Sequence, residues 1–103
     1  MTNFDRGDVV IVDLGMIQKT RPCVVVASSP DPERAMSVVI PMTTQIRGGK
    51  FEIPFPKPSW LNEQCVLNLV GIAGVDNRKI VRRIGPFPDM KSVDAGLRKL
   101  LSL

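Results

Sequence analysis

Arg21 and Thr43 are the side chains of this sequence whose types and placing best suit chemistry. Arg21, followed by Pro22, opens the apolar run Cys23-Val24-Val25-Val26, and Thr43 closes the next one, Val38-Val39-Ile40-Pro41-Met42. A guanidinium forks onto two phosphate oxygens and stays charged at physiological pH, so it stabilises an anion readily and is a poor base. A hydroxyl close by can assist on the same oxyanion. Thr44, Gln45, Arg47 and Lys50 follow Thr43, and Lys19 precedes Arg21. Cations and amides so placed could touch the backbone of a polyanion. Because side chains alternate along a strand, Thr44 faces away if Thr43 faces a groove. Each residue also has an ordinary explanation. An arginine before proline is commonly a surface ion pair or loop anchor, threonines and glutamines at strand ends commonly bond their own backbone, and exposed lysines and arginines are commonly just solvated.

The rest of the composition narrows the chemistry. The chain has no histidine, which removes the commonest metal ligand and the usual proton carrier near neutral pH. Cys23 and Cys65 sit in apolar runs, read as buried small hydrophobes, and cannot alone complete a closed zinc site; no metal or cofactor is expected. A net charge of +4, from 14 Lys and Arg against 10 Asp and Glu, suits a polyanion or an acidic protein partner. The first residues, Met1-Thr2-Asn3-Phe4-Asp5-Arg6, lack the pattern of a secretory signal, and no apolar run approaches the roughly 20 residues of a membrane span, so a cytoplasmic location is expected.

With 103 residues, the chain has room for one domain, covering 1–103. Strands are predicted over 8–14, 23–27, 36–41, 64–70 and 79–84, with a short edge strand over 51–55 that carries Pro54. Gly48-Gly49 reads as a hairpin turn between the third and fourth strands, and Gly71 and Gly74 as a sharp bend in the fifth or a close backbone approach. From Asp89, a plausible cap, Val93, Leu97, Leu100 and Leu101 recur at helical spacing. Many short strands and one terminal helix predict a mainly β protein, a small, strongly bent antiparallel barrel with a helix packed on one side. Trp60 is the one conspicuous candidate for base stacking, although packing on the barrel explains it as well.

Arg21-Pro22 opening one strand and Pro41-Met42-Thr43-Thr44-Gln45 closing the next resemble the MazF/PemK family of toxin endoribonucleases from bacterial toxin–antitoxin pairs. Arg6-Gly7-Asp8-Val9-Val10-Ile11-Val12-Asp13 is similar to that family's first strand, and Val75-Asp76-Asn77-Arg78-Lys79-Ile80 to the turn before its last. The resemblance implies an SH3-like barrel that forms a homodimer and cuts single-stranded RNA without metal to leave a 2′,3′-cyclic phosphate. It also implies neutralisation by an acidic cognate antitoxin. Carried onto this chain, Arg21 and Thr43 are the catalytic residues; Thr44, Gln45, Lys19, Arg47 and Lys50 are the substrate contacts. The chain departs from the family pattern in three places. The connection Gly15 to Thr20 is short, Val70-Gly71 stands where an Asp-Gln pair ends the fifth strand, and Asn68 and Val70 stand where the PemK branch has its acid–base arginine and aspartate. The MazF version of the mechanism is what carries over, with the arginine as acid and stabiliser; Asp76 is a further contributor or simply a turn cap. Two other readings share the fold: an RNA- or antitoxin-binding module with weakened catalysis, and a poison of DNA gyrase.

Overall fold

The computed structural model describes residues 4–15 and 20–103. Among these residues seven strands form in chain order: β1 (Asp8–Asp13), β2 (Thr20–Ala27), β3 (Met36–Thr43), β4 (Glu52–Pro54), β5 (Val66–Asn68), β6 (Ala73–Asp76) and β7 (Ile80–Pro86). An α-helix, α1 (Met90–Leu101), follows them. Every pairing is antiparallel, and the sheet runs β4-β5-β3-β2-β1-β7, with β6 also paired to β3. A mainly β architecture with one C-terminal helix is therefore what the chain adopts.

The central strands are apolar on both faces because both faces are covered. Val9, Val24, Ile40, Met42 and Leu67 point into a core closed by Val93 of α1 and by Phe55, Leu61 and Phe87. Their alternates Val10, Val12, Cys23, Val25 and Val39 point into a second core with Phe4, Leu14, Val75 and Ile80. Two faces of β-branched residues explain why β1 to β3 read as continuous apolar runs rather than as alternating ones. Register shifts between Val9 and Val10, between Ile11 and Val12, and between Val25 and Ala27 mark bulges that bend and twist these strands. The helix begins where the Asp89 carboxylate accepts the Ser92 N–H at 3.1 Å, and ends at Ser102 in the left-handed conformation.

The structure differs from the sequence-based expectation in the second half of the sheet. Gly48-Gly49 is not a hairpin turn between paired strands, since β3 and β4 are not neighbours and β5 lies between them. The strand predicted over 64–70 is confined to Val66–Asn68, because the chain then turns through a short 3₁₀ segment, Leu69–Gly71. Residues 73–76 are a separate strand on the edge of β3, not a bent continuation of β5. Gly71 does mark a close approach, for a Cβ there would stand 2.8 Å from Cγ of Pro41. Strands β2 and β3 run further than predicted and take in Arg21 and Thr43 themselves.

One buried polar cluster ties the turn after β6 to the connection between β2 and β3. Ser37, with no exposed surface, donates its hydroxyl to Asn77 Oδ1 at 2.7 Å and accepts the Ser29 N–H at 3.1 Å. The Asn77 amide donates in turn to Ser29 Oγ at 2.7 Å. Asn77→Ala strands the Ser37 hydroxyl, and we expect a loss of about 1–3 kcal/mol, read as a lower denaturant midpoint at unchanged slope.

Candidate active site

The register of four strands assembles the site. Cys23 pairs with Pro41 at the last step of the β2–β3 ladder, and Arg21 and Thr43 lie two residues beyond it on the same face. On the other edge of β3, Met42 pairs with Leu67, which sets Pro41 opposite Asn68, and Asn68 pairs with Glu52 of β4. Arg21, Pro41, Thr43, Asn68 and Glu52 therefore share one face of the sheet, the continuation of the face that buries Cys23, Val25 and Val39. Arg21 and Thr43 line one cavity, where both can reach a single phosphate.

With Gln45 and Arg47 from the connection after β3, these side chains line a cavity of about 320 Å³. Arg21 is half-buried and Arg47 exposed, and among the described residues neither guanidinium is ion-paired to a carboxylate. Two unpaired cations at one cavity are suited to bind an anion, and the half-buried one does so with less screening. Thr43 Oγ1 accepts the Gln45 N–H at 3.1 Å, which engages its acceptor side and leaves the hydroxyl proton free to donate into the cavity. Gln45 is held from the other side, its Oε1 accepting from Arg47 Nη2 at 3.4 Å.

The structure brings together some of the residues that the sequence singled out and separates others. Arg21, Thr43, Gln45 and Arg47 converge on the cavity. Thr44 faces the opposite side of the sheet, where a second cavity of about 450 Å³ is lined by Pro22, Trp60, Cys65 and Arg82. A third cavity, of about 170 Å³, shares Arg21, Thr43 and Gln45 with the first and Pro22, Thr44 and Cys65 with the second. Lys50 is absent from all three linings and instead lies 5.2 Å above the Phe51 ring. Lys19 lies outside the described residues. Trp60 packs so closely on β7 that a Cβ at Gly85 would come within 2.5 Å of its indole nitrogen. Glu52 and Asn68 had no role assigned as site residues from the sequence. The alternation Phe51-Glu52-Ile53 was the only signal that Glu52 turns away from the core.

Other polar candidates resolve into structural roles. Asp76 pairs with Met36 at the far end of β3 from Thr43, roughly 20 Å along the strand, and its carboxylate accepts the Arg78 N–H at 2.8 Å. The Arg78 side chain bonded to it holds the Asp76 pKa down at about 2, so it stays ionised and caps a turn. Burial pushes the Cys23 thiol up to about 12 and raises Cys65 as well, so both sulfurs remain protonated small hydrophobes. Among the described residues no three of Cys, Asp and Glu cluster as metal ligands would, and no helix is long and apolar enough to cross a membrane.

Comparison with known proteins follows this geometry. A family model described as PemK-like, MazF-like toxin of type II toxin–antitoxin system matches residues 5–101. In fold, the chain is similar to a MazE–MazF complex from Deinococcus radiodurans (TM-score 0.82, 19% identity, 100% of this chain and 99% of that one). It is also similar to an endoribonuclease in complex with its cognate antitoxin from a mycobacterial species (TM-score 0.81, 20% identity, 97% and 96%). A third likeness is to the Mycobacterium tuberculosis toxin MazF-mt6 (TM-score 0.78, 21% identity, 93% and 97%). No curated protein matches the chain in sequence.

Proposed function

The chain belongs to the PemK-like, MazF-like toxins of type II toxin–antitoxin systems, and from that membership we propose that it is an endoribonuclease cutting single-stranded RNA at the Arg21–Thr43 cavity. The observation that carries this reading is the pairing of an unpaired, half-buried arginine with a hydroxyl free to donate, on adjacent strands of one sheet face. The 2′-oxygen gives its proton to water and attacks the neighbouring phosphorus; the bond from phosphorus to the 5′-oxygen breaks, and that oxygen takes a proton from Arg21, which is reprotonated from water. The products are a 2′,3′-cyclic phosphate and a 5′-hydroxyl end. Arg21 neutralises the charge that builds on the non-bridging oxygens and supplies the leaving oxygen with its proton, while Thr43 donates a hydrogen bond to the same phosphate. Gln45 and Arg47 contact the strand beside the scissile phosphate. Thr44, turned to the opposite face, reaches RNA only if the strand runs on through the cavity that Thr43 and Thr44 share.

An acidic antitoxin is the partner that this cavity suits. A chain of net charge +4, with two uncompensated arginines at the site, offers an acidic segment the contacts it offers RNA, and occupancy by one excludes the other. Solved likenesses include toxin–antitoxin complexes, which supports a cognate antitoxin here. A homodimer is proposed on the same footing.

The test is to incubate the protein with a long single-stranded RNA in EDTA and map the ends. Cuts at a short recurring word, with cyclic phosphate on the upstream fragment, are expected. A folded protein that binds this RNA without cutting it would instead be the binding module.

A further inference from the structure

We infer that Glu52 is a positioning residue: its carboxylate fastens the turn at residues 47–48, so that the Arg47 guanidinium stands at the Arg21 cavity as a second phosphate-binding cation. This rests on the ribonuclease reading of that cavity. The connection from Thr44 to Lys50 crosses from β3 to β4 over the intervening β5, and every residue in it is exposed. Apolar burial therefore does little to hold it; Ile46, its one large apolar side chain, is 52% exposed. The backbone-to-backbone bonds of the connection are the Ile46 N–H to Thr44 O, at 3.1 Å, and the Glu52 N–H to Gly49 O, at 3.1 Å.

The remaining anchors are side chains: Thr43 Oγ1, which accepts the Gln45 N–H at 3.1 Å, and the Glu52 carboxylate, which holds Arg47 and Gly48. Oε1 accepts the Gly48 N–H at 2.9 Å and the Arg47 N–H at 3.2 Å, and Oε2 accepts the Arg47 N–H at 3.3 Å. Consecutive amide N–H groups pointing one way form a nest for an anion, here filled by the chain's own carboxylate. Glu52 can serve as a fixed post because it is half-buried and paired with Asn68 in the β4–β5 ladder. An acidic side chain lining an anion site is otherwise unfavourable, since it repels the phosphate. That penalty is offset when the carboxylate faces backbone donors and returns a guanidinium to the cavity. The path of contacts is continuous: Glu52 to the Arg47 backbone, the Arg47 side chain to Gln45, the Gln45 N–H to Thr43.

The test compares Glu52→Ala, Glu52→Gln, Arg47→Ala and the Arg47→Ala/Glu52→Ala double variant. Affinity for a fluorescein-labelled single-stranded RNA is read at several salt concentrations, with kcat measured beside it. We expect Arg47→Ala to weaken binding about tenfold and to flatten the log–log salt dependence by about 0.7, the loss of one phosphate contact on a single strand. Glu52→Ala should reproduce most of both changes, the double variant should bind no worse than Arg47→Ala, and Glu52→Gln, which keeps a carbonyl acceptor, should recover most of the loss. Additive losses in the double variant would overturn the inference. So would a Glu52→Gln variant whose kcat collapses at unchanged affinity, which would make the carboxylate the proton acceptor. Hydrogen exchange in the free protein separates this inference from the ribonuclease reading. The Arg47 and Gly48 amides should lose protection in Glu52→Ala and keep it in Arg47→Ala, whether or not RNA is cut. Unchanged protection in Glu52→Ala overturns the anchoring directly.

Discussion

Arg21→Ala is expected to cut RNA about 10³-fold more slowly than the parent, or not detectably, while unfolding at nearly the same temperature. The size of the effect follows from what is removed. A preorganised donor to a developing oxyanion is worth about 10²- to 10³-fold, and an arginine acting on a phosphoryl transition state about 10³- to 10⁵-fold. A 10³-fold loss corresponds to about 4 kcal/mol of transition-state stabilisation. Stability should barely change, because among the described residues Arg21 is in no salt bridge and its neighbours Cys23, Val24 and Val25, not Arg21, supply the buried surface of β2. Arg21→Lys should fall between the two, since an ammonium keeps the charge and loses the two-pronged geometry. The checks are single-turnover cleavage of an end-labelled RNA and a thermal melt of each variant. An Arg21→Ala protein that cuts at the parental rate would remove Arg21 from the site, and a melt far below the parent would make the loss of activity a loss of fold.

Leu67→Ala has the largest effect expected on stability. Leu67 has no exposed surface, and its strand is paired on both sides, to Met42 of β3 and to Ile53 of β4. Deleting most of its side chain leaves a cavity between the sheet and the cluster that includes Val93 and Leu69, at a cost of about 2–5 kcal/mol. For a domain of this size, each kcal/mol lowers the melting temperature by about 4–8 °C, so a fall of roughly 10 °C or more is expected by calorimetry. The effect should reach the site, because Asn68 follows Leu67 and pairs with Glu52. RNA affinity at a temperature near the variant's midpoint should fall further than the folded fraction alone accounts for. A fall in melting temperature of only a degree or two would mean that the β3–β5–β4 arrangement is not the one that buries this residue.

The class of the fold, the strands β1 to β3, the helix, and the arginine and hydroxyl at neighbouring strand ends are legible in the residues themselves. These are local matters. β-branched runs of the right length, a proline at a strand start, a capping aspartate before a helical spacing of leucines, and Cys23 and Cys65 inside apolar runs are legible because each depends on residues close by in the chain. Even the nearness of Arg21 to Thr43 follows from two consecutive strands folding back on each other, the simplest antiparallel arrangement. The other half of the candidate site depends on strands far apart in the chain. Gly48-Gly49 looked like a turn joining neighbours, yet β5 inserts between β3 and β4. That insertion sets Asn68 beside Pro41 and Glu52 beside Asn68, turns a two-strand pair into a four-strand floor, and leaves Lys50 over Phe51 instead of at the cavity. The preference for that order lies in burial: β5 offers Val66 and Leu67 to the core, whereas β4, with Glu52 and Pro54, suits the edge. Burial is shared among strands far apart in the chain, so no local pattern records which of them becomes the neighbour.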